Sequence, residues 1–553
     1  MKLGKTLLVS VAVLGTLAAG GYAARQTILL HALGVMTDLQ HPRQANHPVL
    51  WQAGPDTAPA GGPRPPNVVL IMADDLGFND VSTFGAGLTT QGVPTPNIDA
   101  ISQAGVRFDQ GYASAAVCSP SRAALLTGRY ASRFGFEFTP TPGAMAKVAP
   151  MLELGGARLR EVITHPEVTD RIASFNELGV PASEITLAEL LKARGYHTLH
   201  LGKWHLGGTP EMRPNNQGFD ESLYMESGLY LPEDDPNVVN AKIGFDPIDA
   251  FLWPNMRFAV SYNEGRWFEP RNYLTDYLTD EAVTAIHQNR HQPFFIYLAH
   301  WGVHTPMQAA KADYDALSNI VDHTERVHAA MVRAIDRSVG KVLQALRDEG
   351  LENNTIVIFT SDNGGPGYVG LPQLNKPFRG WKLTQFEGGL RVPFVAQWPG
   401  HIPAGSRYQQ PVTSRDILPT LVAAAGGQLP TDRSLDGINL LPYLAAGAPL
   451  QAPRTLFWRD GSYQAVRAGD WKLQQAARPD KLWLYNLKDD PTEQHNLAAT
   501  QPGKVAELQA LLAAHNAQMQ PPAWPSFIEM PVMIDKTLAQ PEAADDEYVY
   551  WQN

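Results

Sequence analysis

The 553 residues contain one cysteine, Cys118, set in Cys118-Ser119-Pro120-Ser121-Arg122 and followed by Leu126-Thr127-Gly128-Arg129. A lone cysteine forms no internal disulfide. It is a small buried hydrophobe, a spare thiol, or a group with chemistry of its own. A thiol ahead of a Pro-initiated turn and a helix start lies near positive backbone charge, and Arg122 adds more. Both favour the thiolate, the nucleophilic form. An isolated cysteine is nevertheless more often inert, and these residues alone leave both alternatives open. Other polar groups come in short blocks: Asp74-Asp75, Gly202-Lys203-Trp204-His205, Val303-His304-Thr305-Pro306, Asp362-Asn363-Gly364-Gly365 and Phe378-Arg379-Gly380-Trp381-Lys382. One Asp-Asp pair is usually a solvated turn, and one loop histidine is usually structural. Two oxygen-bearing pairs that each follow an apolar strand differ: four hard donors suit Ca2+ or Mg2+ and do not suit zinc. His205 can titrate near neutral pH and serve as a base.

Cys118, Pro120 and Arg122, with Leu126 to Arg129, resemble the signature of the type I sulfatases. In that family, part of the alkaline phosphatase superfamily, the Cys of Cys-x-Pro-x-Arg is oxidised to formylglycine. The resemblance runs from about Asn67 to Leu497. It implies an arylsulfatase-like sulfuric ester hydrolase acting on aryl or carbohydrate sulfate esters. It implies Asp74, Asp75, residue 118, Asp362 and Asn363 as ligands of one divalent cation, with Ca2+ expected and Mg2+ the alternative. It implies catalytic roles for Cys118, Arg122, Lys203, His205, His304 and Lys382. In the implied mechanism the formylglycine hydrate attacks sulfur while Arg122, Lys203 and Lys382 neutralise the sulfuryl oxygens. His304 and Lys382 assist the leaving oxygen as acids. A covalent sulfo-enzyme then collapses as His205 takes the remaining hydroxyl proton. A formylglycine-generating enzyme is the implied maturation partner. Val303 stands where the family usually has Pro, which touches loop stiffness more than chemistry. His300 reads as structural, and Arg379 and Glu387 as structural residues or supports behind the site. Phosphonate monoester and phosphodiester hydrolases of the superfamily share formylglycine but commonly carry Asp-His at this point, so Asn363 favours sulfate. A non-catalytic binder of sulfated glycans would be expected to lack part of this set, and every position is filled.

These groups need elements to hold them. Asn67-Val-Val-Leu-Ile-Met-Ala73 and Thr355-Ile-Val-Ile-Phe359 are continuous apolar runs, the pattern of strands buried on both faces of a parallel sheet. Tyr196 to Leu201 alternates as a strand leading to Lys203 and His205, and Pro293 to Ala299 leads to His304. Thr186 and Glu189 have capping-box spacing, and Gly195 is a helix stop. Glu325 to Asp348 carries an apolar helical face through Val327, Met331, Ile335, Val339, Val342 and Leu346. Ligands of open α/β sheets sit outside the carboxyl ends of the strands, so the pattern predicts one site built from several loops. The expected fold is α/β: a large mixed, mostly parallel sheet sandwiched by helices, alkaline phosphatase-like by the resemblance. A small C-terminal domain follows, with an antiparallel sheet over Thr455 to Leu487 and a closing helix over Val505 to Met519. The expected boundaries are 1–24 signal or anchor, 25–66 linker, 67–425 catalytic domain, 426–520 C-terminal subdomain and 521–553 a tail draped on the surface.

Hydrophobic residues are 44% and charged residues 18% of the chain, which excludes a disordered protein. Lys and Arg number 44 against 55 Asp and Glu, a net −11 that argues against a nucleic-acid binder. Lys2 and Lys5 precede an uncharged, mostly apolar Thr6 to Ala24. A cleaved signal peptide is expected, with an uncleaved membrane anchor as the alternative. An exported chain without disulfides fits a bacterial periplasm or secretion. Residues 138–181 and 223–276 carry no family block, and loops on a fixed scaffold commonly set specificity. In the second of these, Trp253, Phe258, Tyr262, Trp267 and Phe268 either stack on a substrate ring or fill a local core.

Overall fold

The strand β1, Asn67–Ala73, buries all of its residues. Alternate side chains of a strand point to opposite faces. Val69, Ile71 and Ala73 accordingly join one core, and Val68, Leu70 and Met72 the other. The structure is a computed structural model that describes residues 34–36, 38–39, 41–57, 64–85, 93–141, 159–225, 228–450 and 452–553. The expected signal or anchor, much of the expected linker and residues 142–158 lie outside that set.

Eight further strands complete the main sheet: β2 (Val106–Phe108), β3 (His197–Lys203), β4 (Glu221–Met225), β5 (Ser261–Tyr262), β6 (Phe294–Ala299), β7 (Thr355–Ser361), β8 (Phe394–Gln397) and β9 (Ser406–Tyr408). Their order is β9-β2-β8-β7-β1-β6-β3-β4-β5. The central five are parallel, while β8 runs against both neighbours and β5 against β4. One face is covered by α1 (Pro96–Ala104), α4 (Leu274–Gln288) and α5 (His323–Asp348). The other is covered by α2 (Cys118–Thr127), α3 (Leu187–Lys192) and α6 (Ile417–Ala424). The Thr186–Glu189 capping box forms: Glu189 N donates to Thr186 Oγ1 at 3.2 Å, and Thr186 N donates to Glu189 Oε2 at 2.7 Å.

Register decides what reaches the carboxyl edge. Ala73 pairs with Ser361, so Asp74 and Asp362 leave the sheet side by side. Met72 and Gly202 both pair with Ala299, which brings Lys203 and the loop from His300 to the same edge.

A four-stranded antiparallel meander follows, β10 (Thr455–Asp460), β11 (Tyr463–Ala468), β12 (Trp471–Ala477) and β13 (Asp480–Asn486), with α7 (Pro502–Asn516) packed on Val466, Leu473 and Leu484. It is tied to the larger domain by a fully buried ionic cluster. Lys472 Nζ lies 2.9 Å from Glu387 Oε1 and 3.0 Å from Glu493 Oε1. Tyr112 Oη donates to Glu387 Oε2 at 2.6 Å. Removing one partner of a buried pair leaves an uncompensated charge. Lys472→Met is therefore expected to destabilise the chain by about 3–5 kcal/mol, read as a lower urea midpoint than wild type.

The 521–553 tail departs from the expectation of surface draping. Ile528–Met533 and Tyr548–Gln552 pair antiparallel, and Ile528–Glu529 also pairs with Ile163–Thr164. Pro531 hid this strand from the sequence. Its missing N–H is tolerated because the ladder to Ile163–Thr164 reaches only to Glu529. Among the described residues no helix is long and apolar enough to cross a membrane.

Candidate active site

Asp74 and Asp75 follow β1, and Asp362 and Asn363 follow β7; all four are fully buried. Asp75 has φ +61°, a left-handed turn that short polar side chains tolerate. Cys118 is the first residue of α2, which ends at Gly128 with φ +67° and its N–H on Ala124 O. The Cys118 Sγ lies 3.4 Å from Asp74 Oδ1 and 3.8 Å from Asp75 Oδ1. One turn on, Arg122 Nε donates to Asp362 Oδ2 at 2.9 Å, and its Nη2 lies 3.4 Å from Asp74 Oδ2. Arg122 thus fastens the ends of β1 and β7 to the nucleophile helix.

Two lysines enter from other strands and loops. Lys203 Nζ donates to Asp74 Oδ2 at 2.5 Å, and Lys382 Nζ donates to Asp75 Oδ2 at 2.9 Å. Asn363 Nδ2 donates to Asp75 Oδ1 at 2.8 Å. His304 Nε2 lies 3.7 Å from Asp75 Oδ2, and its Nδ1 donates to Thr305 O at 2.6 Å. His205, at φ +61°, has a buried Nδ1 without a partner. Every residue singled out from the sequence as catalytic or metal-binding therefore lies in, or is electrostatically coupled to, one cluster.

Burial dominates the electrostatics. It pushes the Cys118 thiol well above its usual range, and Asp362 and Asp74 push it further. Of the two alternatives the sequence leaves open, burial together with Asp362 and Asp74 favours the neutral thiol over the thiolate. Burial and Asp74 hold the Asp362 carboxyl above its ordinary value despite Arg122. On Asp75 burial also acts upward, yet Lys382 and His304 together hold it below the usual carboxylate range. Burial would lower Lys382, but Asp75 raises it well above an ordinary lysine. Desolvation carries His304 down to about 3 and His205 well below its usual value, with Lys203 adding to the shift at His205. Both imidazoles are neutral at neutral pH.

The donor set fits a divalent cation. Asp74, Asp75, Cys118 and His304 offer ligand atoms all within 4.8 Å of one another. Asn363 uses its amide N–H groups on Asp75 and Gly364, which leaves Oδ1 buried with no partner. A buried acceptor of that kind is costly unless satisfied, and a hard cation satisfies it.

Two site residues escaped the sequence reading. Tyr368 Oη donates to Asp75 Oδ2 at 3.0 Å and lies 3.3 Å from Lys382 Nζ. The Trp301 ring lies 4.7 Å from Lys203 Nζ and 4.2 Å from the His304 ring. A single loop aromatic has no spacing signature. Only their nearness in sequence to Asn363 and His304 could have drawn notice. The residues read as structural are engaged elsewhere: His300 with Ser338 Oγ at 2.8 Å, Arg379 with Asp535 and Glu547, and Glu387 in the Lys472 cluster. Trp253, Phe258 and Phe268 are buried in the core under α4 and α5, and Tyr262 and Trp267 are half-buried. That loop fills a local core.

Comparison with known proteins agrees with this geometry. The Sulfatase family model matches residues 66–427, and the model for the N-sulphoglucosamine sulphohydrolase C-terminal region matches residues 380–520. The chain is 35% identical to human N-acetylgalactosamine-6-sulfatase over 427 residues, 75% of this chain and 72% of that one. It is 31% identical to human arylsulfatase A, covering 81% and 86% respectively. The crystal structure of Ps i-CgsB in complex with k-i-k-neocarrahexaose superposes with a TM-score of 0.69 at 30% identity, over 83% of this chain and 95% of that one. With the family model spanning well over half of its residues, the chain belongs to the Sulfatase family and is a sulfuric ester hydrolase.

Proposed function

We propose that the protein cleaves sulfate monoesters at residue 118 after a formylglycine-generating enzyme has converted the Cys118 thiol to an aldehyde. One divalent cation, Ca2+ by preference, is held by Asp74, Asp75, Asp362 and Asn363. The supporting observation is the setting of Cys118: its sulfur lies 3.4 Å from Asp74, among lysines and neutral imidazoles, with thiolate formation opposed. A bound cation would stabilise negative charge on oxygen and make a hydroxyl acidic at neutral pH. The aldehyde hydrate carries two hydroxyls on one carbon. One oxygen bonds to sulfur as the ester S–O bond breaks. The second later expels sulfate by elimination and restores the aldehyde, a route closed to a serine ester.

The chain's own residues supply the rest. Lys203 and Lys382 neutralise the sulfuryl oxygens, and Arg122 keeps the carboxylates in place. Lys382 is charged at neutral pH and gives its proton to the leaving oxygen. His304 is neutral with its Nδ1–H on Thr305 O, so its Nε2 has no proton to give and the acid role falls to Lys382. Neutral His205 accepts the proton of the second hydroxyl.

The test is a side-by-side assay of the matured chain with 4-nitrophenyl sulfate and an aryl phosphonate. Sulfate turnover is expected to be faster, and the reverse order overturns the assignment. Lys382→Ala is expected to lower kcat on the sulfate by about 100- to 1,000-fold, with partial recovery in Lys382→Arg. Export to the periplasm, directed by residues 1–24, completes the proposal, and N-terminal sequencing of the purified protein checks it.

A further inference from the structure

A cavity of about 460 Å3 opens beside Lys382 and Tyr368, the two residues that also contact Asp75. These two side chains therefore border both the cavity and the carboxylate cluster. The cavity's size falls in the roughly 300–1,000 Å3 of small-molecule sites. One wall is the tail strand and the loop after it, with Met530, Val532 and Leu538. The tail lies beyond both family matches, which end at 427 and 520. Phe245 and Trp381 stand on other sides. Phe245 is 44% exposed and Leu159, also on the cavity, 61% exposed. Large apolar side chains held in water at the mouth of a site gain by being covered.

The two lysines of the lining and Glu542 are already in ion pairs. Lys536 Nζ lies 2.7 Å from Asp546 Oδ1, and Glu542 is paired with Arg160 at 3.4 Å. Lys382 is paired with Asp75. Asp246, the other acid on the wall, accepts from Ile248 N at 3.0 Å. Among the described lining residues no cation is left over for a second sulfate or a carboxylate, and recognition of an oligoanion needs such cations. Aromatic and aliphatic groups dominate instead.

We infer that this cavity receives the alcohol half of the substrate, and that the substrate class is the sulfate monoester of an apolar, ring-containing alcohol rather than a multiply charged glycan. The inference rests on the hydrolase reading above. Met530, Val532 and Leu538 are its specificity wall, supplied from the far end of the chain. The sulfate enters toward Lys382, and the ring lies between Tyr368, Trp381 and the tail.

Binding tests this without turnover. The full-length chain with Cys118 unmodified is titrated calorimetrically, in calcium-containing buffer, with 2-naphthyl sulfate, methyl sulfate and a disulfated chondroitin disaccharide. Naphthyl sulfate is expected to bind at least about tenfold tighter than methyl sulfate, with a negative heat-capacity change from apolar burial. Met530→Gln and Leu538→Asn are each expected to shrink that ratio by about fivefold to tenfold. Comparing two ligands on one protein cancels any loss of folded material. Equal binding of the two monosulfates, tighter binding of the disaccharide, or a ratio unmoved in both variants overturns the inference. Selective binding without hydrolysis of either monosulfate by the matured chain sinks the hydrolase reading alone. Hydrolysis of both at equal kcat/KM without selective binding sinks the pocket alone.

Discussion

Cys118→Ala is expected to lose sulfate-ester turnover by about 10,000-fold or more against the matured wild type, because the nucleophile is gone and the remaining groups only bind and polarise. The substitution is small. Cys118 is buried at the start of α2, and the hydrogen bonds of its thiol go to the two carboxylates named above. The unfolding midpoint should therefore stay close to wild type, which separates lost chemistry from lost fold. Cys118→Ser, if left as serine, is expected to be nearly as inactive. A serine sulfate has no second hydroxyl on its carbon with which to expel sulfate. Kinetics with 4-nitrophenyl sulfate, alongside a urea melt of each variant, check both statements.

Chelation is the second large effect. Removing divalent ions with a chelator is expected to cut turnover by about 1,000-fold, reversibly on adding Ca2+ and without recovery on adding Zn2+, since the donors are hard oxygens. Asp75→Asn should match that loss and add a second one. Asp75 receives Lys382, Asn363 and Tyr368, so its neutralisation takes from the buried Lys382 ammonium its nearest counter-charge. That costs about 3–5 kcal/mol. The two experiments divide the roles of Asp75. Chelated wild type loses turnover with the Lys382 pair intact, whereas Asp75→Asn also melts at lower urea. Full activity after exhaustive chelation would contradict the assignment of the cluster as a metal site.

The parts of this architecture that sequence made legible are those whose signal is local. Asn67–Ala73 and Thr355–Ser361 are buried throughout because both faces of the sheet are covered, and their unbroken apolar runs, Val68 to Ala73 and Ile356 to Phe359, mark them as central strands. The long helix was legible from its apolar face, and its start moved back to His323 because Asp322 caps it, with Glu325 N donating to Asp322 Oδ1 at 2.8 Å. Block spacing carried Asp74, Lys203, His304 and Lys382 to one site, since each follows a strand of the same sheet or the loop next to it. What sequence hid depends on long-range pairing. Ile528–Met533 is interrupted by Pro531 and finds Ile163–Thr164 some hundreds of residues away, so no local pattern announced it. The cavity wall it builds was invisible for the same reason. The state of the Cys118 thiol stays open in the sequence because the helix start and Arg122 are local, whereas burial and the carboxylates Asp362 and Asp74 arrive only with the sheet.

The chemistry assigned to residue 118 is tested most directly by weighing it. Trypsin releases Phe108 to Arg122 as one peptide. From protein co-produced with a formylglycine-generating enzyme, that peptide is expected to be lighter by one sulfur and two hydrogens and heavier by one oxygen. The converted fraction should track specific activity from one preparation to the next. Full turnover from protein whose peptide still carries the intact thiol would contradict the account.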